Sequence, residues 1–175
     1  MASDLVKATR EEREAAGYVS PFSPTRPHTV DALLADLGLD EDAVLLDLGC
    51  GDGRFCIRAV EQFGCRAVGV DLDPALIEKA HAVAAASEHA EAVRARCELT
   101  VGDLRETDWT VGTHIVFFLL PGCLPMFRDQ FIERIRAGVP VASVQWPIPE
   151  MDKVDGVAVR KCKCKAWFYY IYTKA

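Results

Sequence analysis

The 175-residue chain is half apolar and carries a formal net charge of −6 at pH 7, enough apolar content for one sizeable core and a poor match to the basic surface of a nucleic-acid binder. It lacks the ~18 uninterrupted apolar residues of a membrane helix, and Met1-Ala2-Ser3-Asp4 opens a mixed-charge segment without a signal-peptide core. A single cytoplasmic domain over 1–175 is therefore expected, with neither nucleic acid nor membrane as partner and with an oligomeric state that composition leaves open.

Residues 4–16 are rich in Glu, Arg, Lys and Ala, with a thin apolar stripe that predicts a surface helix or a frayed end. Pro21, Pro24 and Pro27 then remove backbone donors and favour extended structure. Because Tyr18, Val19 and Phe22 are apolar enough to pack, this loop is expected to cover a site. Thr25 is positioned to cap a helix that starts at Pro27-His28, runs on Val30, Leu33, Leu34 and Leu37, and stops at Gly38.

Val44 to Leu48 predicts the first strand, and Gly49, Gly51 and Gly53 follow it directly. A helix carried by Phe55, Ile57, Ala59, Val60 and Phe63 ends at Gly64. Ala67 to Val70 forms a second strand that delivers Asp71 at its end. Pro74 opens a long helix through Leu76, Ile77, Ala80 and the alanines to Ala86, with His81 and His89 on a similar, solvent-facing side. Glu98 to Val101 is a third strand leading to Gly102-Asp103. The run Thr113 to Leu120 predicts a fourth, covered on both faces, which Pro121-Gly122 breaks. Helical spacing returns from Leu124 to Ile135, and Val139 to Val144 makes a fifth strand ending at Gln145-Trp146-Pro147. Val157 to Lys161 and Ala166 to Thr173 read as a closing β pair, with the basic run Arg160 to Lys165 on a solvated face. Seven cysteines at irregular spacing read as free thiols, and Cys162-x-Cys164 has no second pair to complete a metal site.

This alternation predicts an α/β fold: a doubly wound, mostly parallel Rossmann-like sheet closed by a C-terminal antiparallel β pair. Its ligand crevice lies at the strand carboxyl ends, which selects Asp47 to Gly53, Asp71, Asp103, Phe118 to Pro121, and Gln145-Trp146. Asp71, 18 residues past Gly53, suits a ribose. A dinucleotide fingerprint, however, needs a glycine where Arg54 stands. Asp47 and Asp52 around the turn repel phosphate and suit a ligand bearing an ammonium and a sulfonium.

The run Asp47-x-Gly49-x-Gly51-x-Gly53 resembles the first motif of the class I S-adenosylmethionine-dependent methyltransferases, over roughly residues 40–150. That resemblance implies S-adenosylmethionine as cofactor, with Asp71 on the ribose hydroxyls, Asp103 on the adenine amino group and Leu104 giving a backbone contact. Thr25, Cys50, Leu72 and Phe118 complete the implied cofactor set.

Where methyltransferases of nucleobase or glutamine amino groups carry Asn/Asp-Pro-Pro-Tyr, this chain has Phe118-Leu119-Leu120-Pro121, with no group to hold a planar NH₂ and no evident catalytic residue. The loop Tyr18 to Thr25, the run Asp-Leu-Gly-Cys-Gly-Asp-Gly-Arg, Phe-Leu-Leu and a strand-rich tail are similar to the small archaeal and mitochondrial-type protein-lysine N-methyltransferases. The resemblance implies a protein substrate with an accessible lysine. Tyr18, Phe22, Phe118, Pro121 and Trp146 are candidates for an apolar mouth around that lysine, although core packing remains an alternative for Phe118 and Trp146. Methylation of a small amine or thiol, and cofactor binding without turnover, are the competing readings.

Overall fold

A computed structural model describes residues 22–175; the expected helix over 4–16, Tyr18 and the start of the proline loop lie outside the described residues. Seven strands form one sheet: β1 (Val44–Leu48), β2 (Arg66–Asp71), β3 (Cys97–Val101), β4 (His114–Phe117), β5 (Val141–Val144), β6 (Val157–Cys164) and β7 (Trp167–Lys174). Their order is β3-β2-β1-β4-β5-β7-β6. The first five are parallel, and β7 enters antiparallel between β5 and β6.

Helices cover both faces unequally. The helices α1 (Pro27–Leu37), α2 (Arg54–Phe63), α3 (Pro74–Ala85) and α4 (Ala90–Arg96) contribute Leu33, Leu34, Phe55, Val60, Ile77 and Val93 to the core on one face. On the other face α5 (Leu124–Arg136) packs Phe127 and Phe131 around Trp109, with Phe131 stacked on Phe117 at 4.5 Å between centroids. Strand residues Leu45, Leu46 and Ile115 are fully buried. This is why the strands read as apolar runs rather than as alternating patterns.

Three local expectations are corrected. Thr25 does not cap α1: the cap position is Arg26, without a side-chain bond, and Thr25 is buried one residue earlier. The long helix expected to carry both His81 and His89 is two helices. Ser87 breaks it by donating its hydroxyl to Glu61 and accepting from the His89 amide at 3.0 Å, a side-chain alternative to the helical ladder. Both histidines are exposed. The fourth strand stops at Phe117 instead of Leu120, where its pairing with Leu48 on one side and Ser143 on the other ends. Gly49 and Gln145, at φ of 80° and 66°, turn those neighbours away, so Phe118 to Leu120 has no ladder to join.

The closing pair runs three residues longer than expected, to Cys164, and carries the basic run on the sheet edge. Lys161 lies over the Phe168 ring at 4.4 Å. Tyr172 anchors β7: fully buried, it accepts a hydrogen bond from the Ile148 amide at 2.7 Å and lies 3.5 Å from Ser143 Oγ. Tyr172→Phe strands that buried amide, and denaturation followed by circular dichroism is expected to show a loss of about 1–3 kcal/mol. At about 2–4 °C of Tm per kcal/mol for a chain of this size, the change is readily measured.

Candidate functional site

The turn after β1 is held by main-chain bonds to β2. The amides of Gly49 and Cys50 both donate to the Val70 carbonyl, at 2.9 and 3.0 Å. The next amide, Gly51, donates to Asp71 Oδ2 at 2.8 Å, while Asp71 Oδ1 accepts from the Asp73 amide at 3.0 Å. Gly51 sits at φ 55°, and a Cβ there would lie 2.4 Å from the Phe22 ring. Gly53, at φ 74°, precedes α2, and a Cβ on it would press on Ala80 and Leu99 at 3.2 Å. A side chain at either position collides with a packed neighbour and forces an unfavourable backbone.

Four carboxylates surround this turn in two different states. Asp47 is 2% exposed, and its hydrogen-bond partner among the described residues is the Cys56 thiol at 4.0 Å. Burial pushes its carboxyl well above the usual range, and the charges of Asp71 and Asp52 add to the effect. Burial raises Asp71 as well, against the pull of its backbone amides. Among the described residues, these two acids have no cation partner of their own.

The other two acids are already paired. Asp52 accepts from Arg54 Nε at 2.8 Å and Arg54 Nη2 at 2.6 Å, and Lys79 Nζ lies 3.3 Å away. Burial opposes its ionisation, but Arg54 and Lys79 outweigh burial and hold the carboxyl below its ordinary value. The expectation that Asp52 faces a cationic ligand is corrected, because its charge is spent inside the protein. Asp103 is clasped by Arg105, which accounts for its lowered carboxyl.

The remaining expected cofactor residues divide by orientation. Leu72 is half-buried after β2, at the crevice. Leu104 buries its side chain, and its carbonyl accepts from Trp109 Nε1 at 3.2 Å. Cys50 turns inward beneath Gly69, its thiol raised by burial, with its carbonyl accepting from the Gly53 amide. Thr25 is buried, and its carbonyl accepts from Arg54 Nη1. Phe22 lies on the turn with Lys79 Nζ 5.3 Å from its ring centroid, so the described part of the proline loop does cover the turn.

At the neighbouring strand ends, Phe118 is half-buried with its ring against Trp167, 5.6 Å between centroids. Leu119 packs beside Gly49, while Leu120 and Pro121 are exposed. Gln145 buckles the end of β5. Its amide donates to the Phe168 carbonyl at 2.8 Å, and its Oε1 accepts from the Phe168 amide at 3.3 Å. Trp146 follows at 39% exposure and is not core, whereas Phe118 is packed.

Trp167, Arg54 and Lys79 belong to this arrangement without having been singled out as site residues. Arg54 had drawn notice as a missing dinucleotide glycine and as the end of the glycine run, and Trp167 stood in a tail read only as part of a closing β pair. The Arg54 pairing with an acid two residues earlier was the available local clue.

Residues 47–155 match the family described as the ANTKMT methyltransferase domain. A protein-lysine N-methyltransferase of Saccharolobus islandicus is 30% identical over 141 residues, covering 77% of this chain and 85% of the relative. The mouse adenine nucleotide translocase lysine N-methyltransferase is 29% identical over 133 residues, or 73% of this chain and 53% of that protein, so the chain spans about half its length. The crystal structure of an RNA methyltransferase from Salinibacter ruber in complex with S-adenosyl-L-homocysteine superposes with a TM-score of 0.76 at 33% identity, covering 87% of this chain and 94% of the other. An acid-flanked glycine turn in a seven-stranded sheet of this order and a family match that starts at Asp47 agree: the chain belongs to the ANTKMT methyltransferase domain family and is a class I S-adenosylmethionine-dependent methyltransferase.

Proposed function

We propose that the chain methylates lysine side chains of a protein, with the turn after β1 and the ends of β2 and β3 holding the cofactor. The likeness to the archaeal protein-lysine enzyme carries this reading, since it extends over 85% of that enzyme. The end of β4 supports it, because Phe118 to Pro121 offers neither a side-chain amide nor a carboxylate to hold a planar amino group.

The donor set fits S-adenosylmethionine. Asp47 is a buried carboxyl with no cation partner among the described residues, the environment a positively charged ligand relieves. Asp71 already orders both of its oxygens through the Gly51 and Asp73 amides, and each oxygen keeps lone-pair capacity for a ribose hydroxyl. Leu72 and Leu104 flank the adenine position. Arg105 bonds both oxygens of Asp103, whose remaining lone-pair capacity would accept the adenine amino group. When bound, the cofactor supplies a methyl group on a sulfonium.

The acceptor must arrive as a neutral amine. For a lysine of ordinary pKa, about 10.4, deprotonation at pH 7 costs about 4–5 kcal/mol. Phe118, Trp167 and Trp146 line the approach with apolar surface, which disfavours the ammonium and lowers that cost. Their ring faces also accommodate a methylated cationic product. No side chain here is assigned as a general base; alignment of amine and methyl does the rest.

RNA, the acceptor in the name of the Salinibacter ruber neighbour, is the second reading. Tritiated methyl donor added to a demethylated lysate separates the readings. Label recovered as methyl-lysine after protein hydrolysis is the expected outcome, whereas label confined to RNA or to small metabolites overturns the proposal.

Two variants test the cofactor assignment. Asp71→Ala removes the charged acceptor, and isothermal titration is expected to show at least about tenfold weaker S-adenosylmethionine binding. Unchanged affinity would remove Asp71 from the site. For Asp47 the folded carboxyl lies above its unfolded value of about 3.9, so the folded state holds the proton longer and its stability falls as pH rises from about 4. Asp47→Asn is therefore expected to raise the Tm of the ligand-free protein at neutral pH, with the gap closing toward about pH 4. The same variant should show a smaller Tm rise on adding S-adenosylmethionine.

A further inference from the structure

We infer that Arg54 is a latch that seats the Phe22 to Thr25 segment on the glycine turn, making it a positioning residue for cofactor retention. This rests on reading the turn as the cofactor site.

Arg54 divides its guanidinium between two tasks. One edge, Nε and Nη2, grips both oxygens of Asp52 in the planar fork that suits a carboxylate. The other nitrogen, Nη1, donates to the Thr25 carbonyl. The Asp52 side chain is 8% exposed and that of Arg54 28%, so this pair escapes most of the screening that weakens surface ion pairs. Asp52 is fixed within the turn, which makes the guanidinium a rigid post.

Among the described residues, the bond from Arg54 to Thr25 is the hydrogen bond recorded to the segment's backbone, and the Phe22 ring is its other seat on the turn. Phe22 is 42% exposed, and its ring rests on the face of Gly51, where even a methyl group would collide. Lys79, from α3, reaches both Asp52 and the Phe22 ring. Thr25 is the buried end of the segment, and Pro24 and Pro27 stiffen the chain on both sides of it. Breaking the Arg54 to Thr25 bond frees a short stiff strap and leaves the Arg54–Asp52 pair intact. Uncovering the turn therefore costs one charge-assisted hydrogen bond and the seating of one ring, an opening suited to ligand exchange.

Lysine cannot replace Arg54 in this role, because a single ammonium does not span a carboxylate fork and a carbonyl at once. Chymotrypsin, which cuts after Phe22, reads the strap directly. In the wild type, saturating S-adenosylhomocysteine is expected to slow that cut. Arg54→Ala and Arg54→Lys should speed it about tenfold, the equivalent of one charge-assisted hydrogen bond. Both should raise the KM for S-adenosylmethionine by a similar factor, leaving kcat at saturation within about twofold.

Cleavage that product does not slow in the wild type, or a folded Arg54→Ala protein cut at the wild-type rate, overturns the latch. So does a fall in kcat with KM unchanged. Should Arg54→Ala fail to fold by circular dichroism, Asp52→Asn removes the anchoring charge and must give the same split. The wild-type titration keeps the two ideas apart: normal cofactor binding with unaltered cleavage sinks the latch alone, whereas no binding at all sinks the site.

Discussion

The site depends on how the turn after β1 is tied to the end of β2. Two consecutive amides, Gly49 and Cys50, converge on one carbonyl, Val70, and the next free amide, Gly51, reaches the Asp71 carboxylate. Positive φ angles at Gly49, Gly51 and Gly53 bring these amides around, and residues without a Cβ adopt them at little cost. Moving any one of the three displaces the acid before the turn, the acid at the next strand end and the first residue of α2 together. The Phe22 ring fills the space left where a side chain would have been at Gly51, so the cover over the turn and the turn itself obey one steric condition.

Charge is handled with the same economy. Asp52 and Asp103 have arginine partners within two residues, and their carboxyls are correspondingly lowered. Asp47 and Asp71 have none among the described residues and are raised. Pairing them internally would stabilise the free protein and close the site to a cation. On the proposed reading, leaving them unpaired keeps a destabilised pocket in which Asp47 faces the ligand's positive charge and Asp71 its ribose hydroxyls, the familiar conflict between stability and activity. On that reading, S-adenosylmethionine gives the unpaired charge its purpose.

What was legible in the sequence was local. The strand at Val44–Leu48, its glycines and the helix stop at Gly64 each depend on a few adjacent residues, and the structure has them where the pattern put them. What was hidden depends on partners distant in the chain. The break after Ala85 needs Glu61 to engage Ser87, and the end of β4 at Phe117 needs its two neighbours to bend away. Asp52 read as a charge offered to a cationic ligand because its bond to Arg54 is a matter of rotamers. The Arg54 bond to the Thr25 carbonyl, across 29 residues, leaves no periodic trace at all.

The antiparallel closing strand is the last piece that the acceptor side requires. In a wholly parallel sheet every strand begins at the edge opposite the crevice, so a residue at a strand start cannot line it. Because β7 runs against β5, with Val144 beside Tyr169 and the Gln145 amide bonded to Phe168, its first residue arrives at the crevice edge. That residue is Trp167, and it meets Phe118 there. The bend at Gln145 that bonds Phe168 is also the bend after which Trp146 is exposed. One strand reversal thus brings aromatic residues from three distant stretches of chain to the edge where the acids lie. On the proposed reading, the tail that closes the sheet is also the wall that an incoming amine meets.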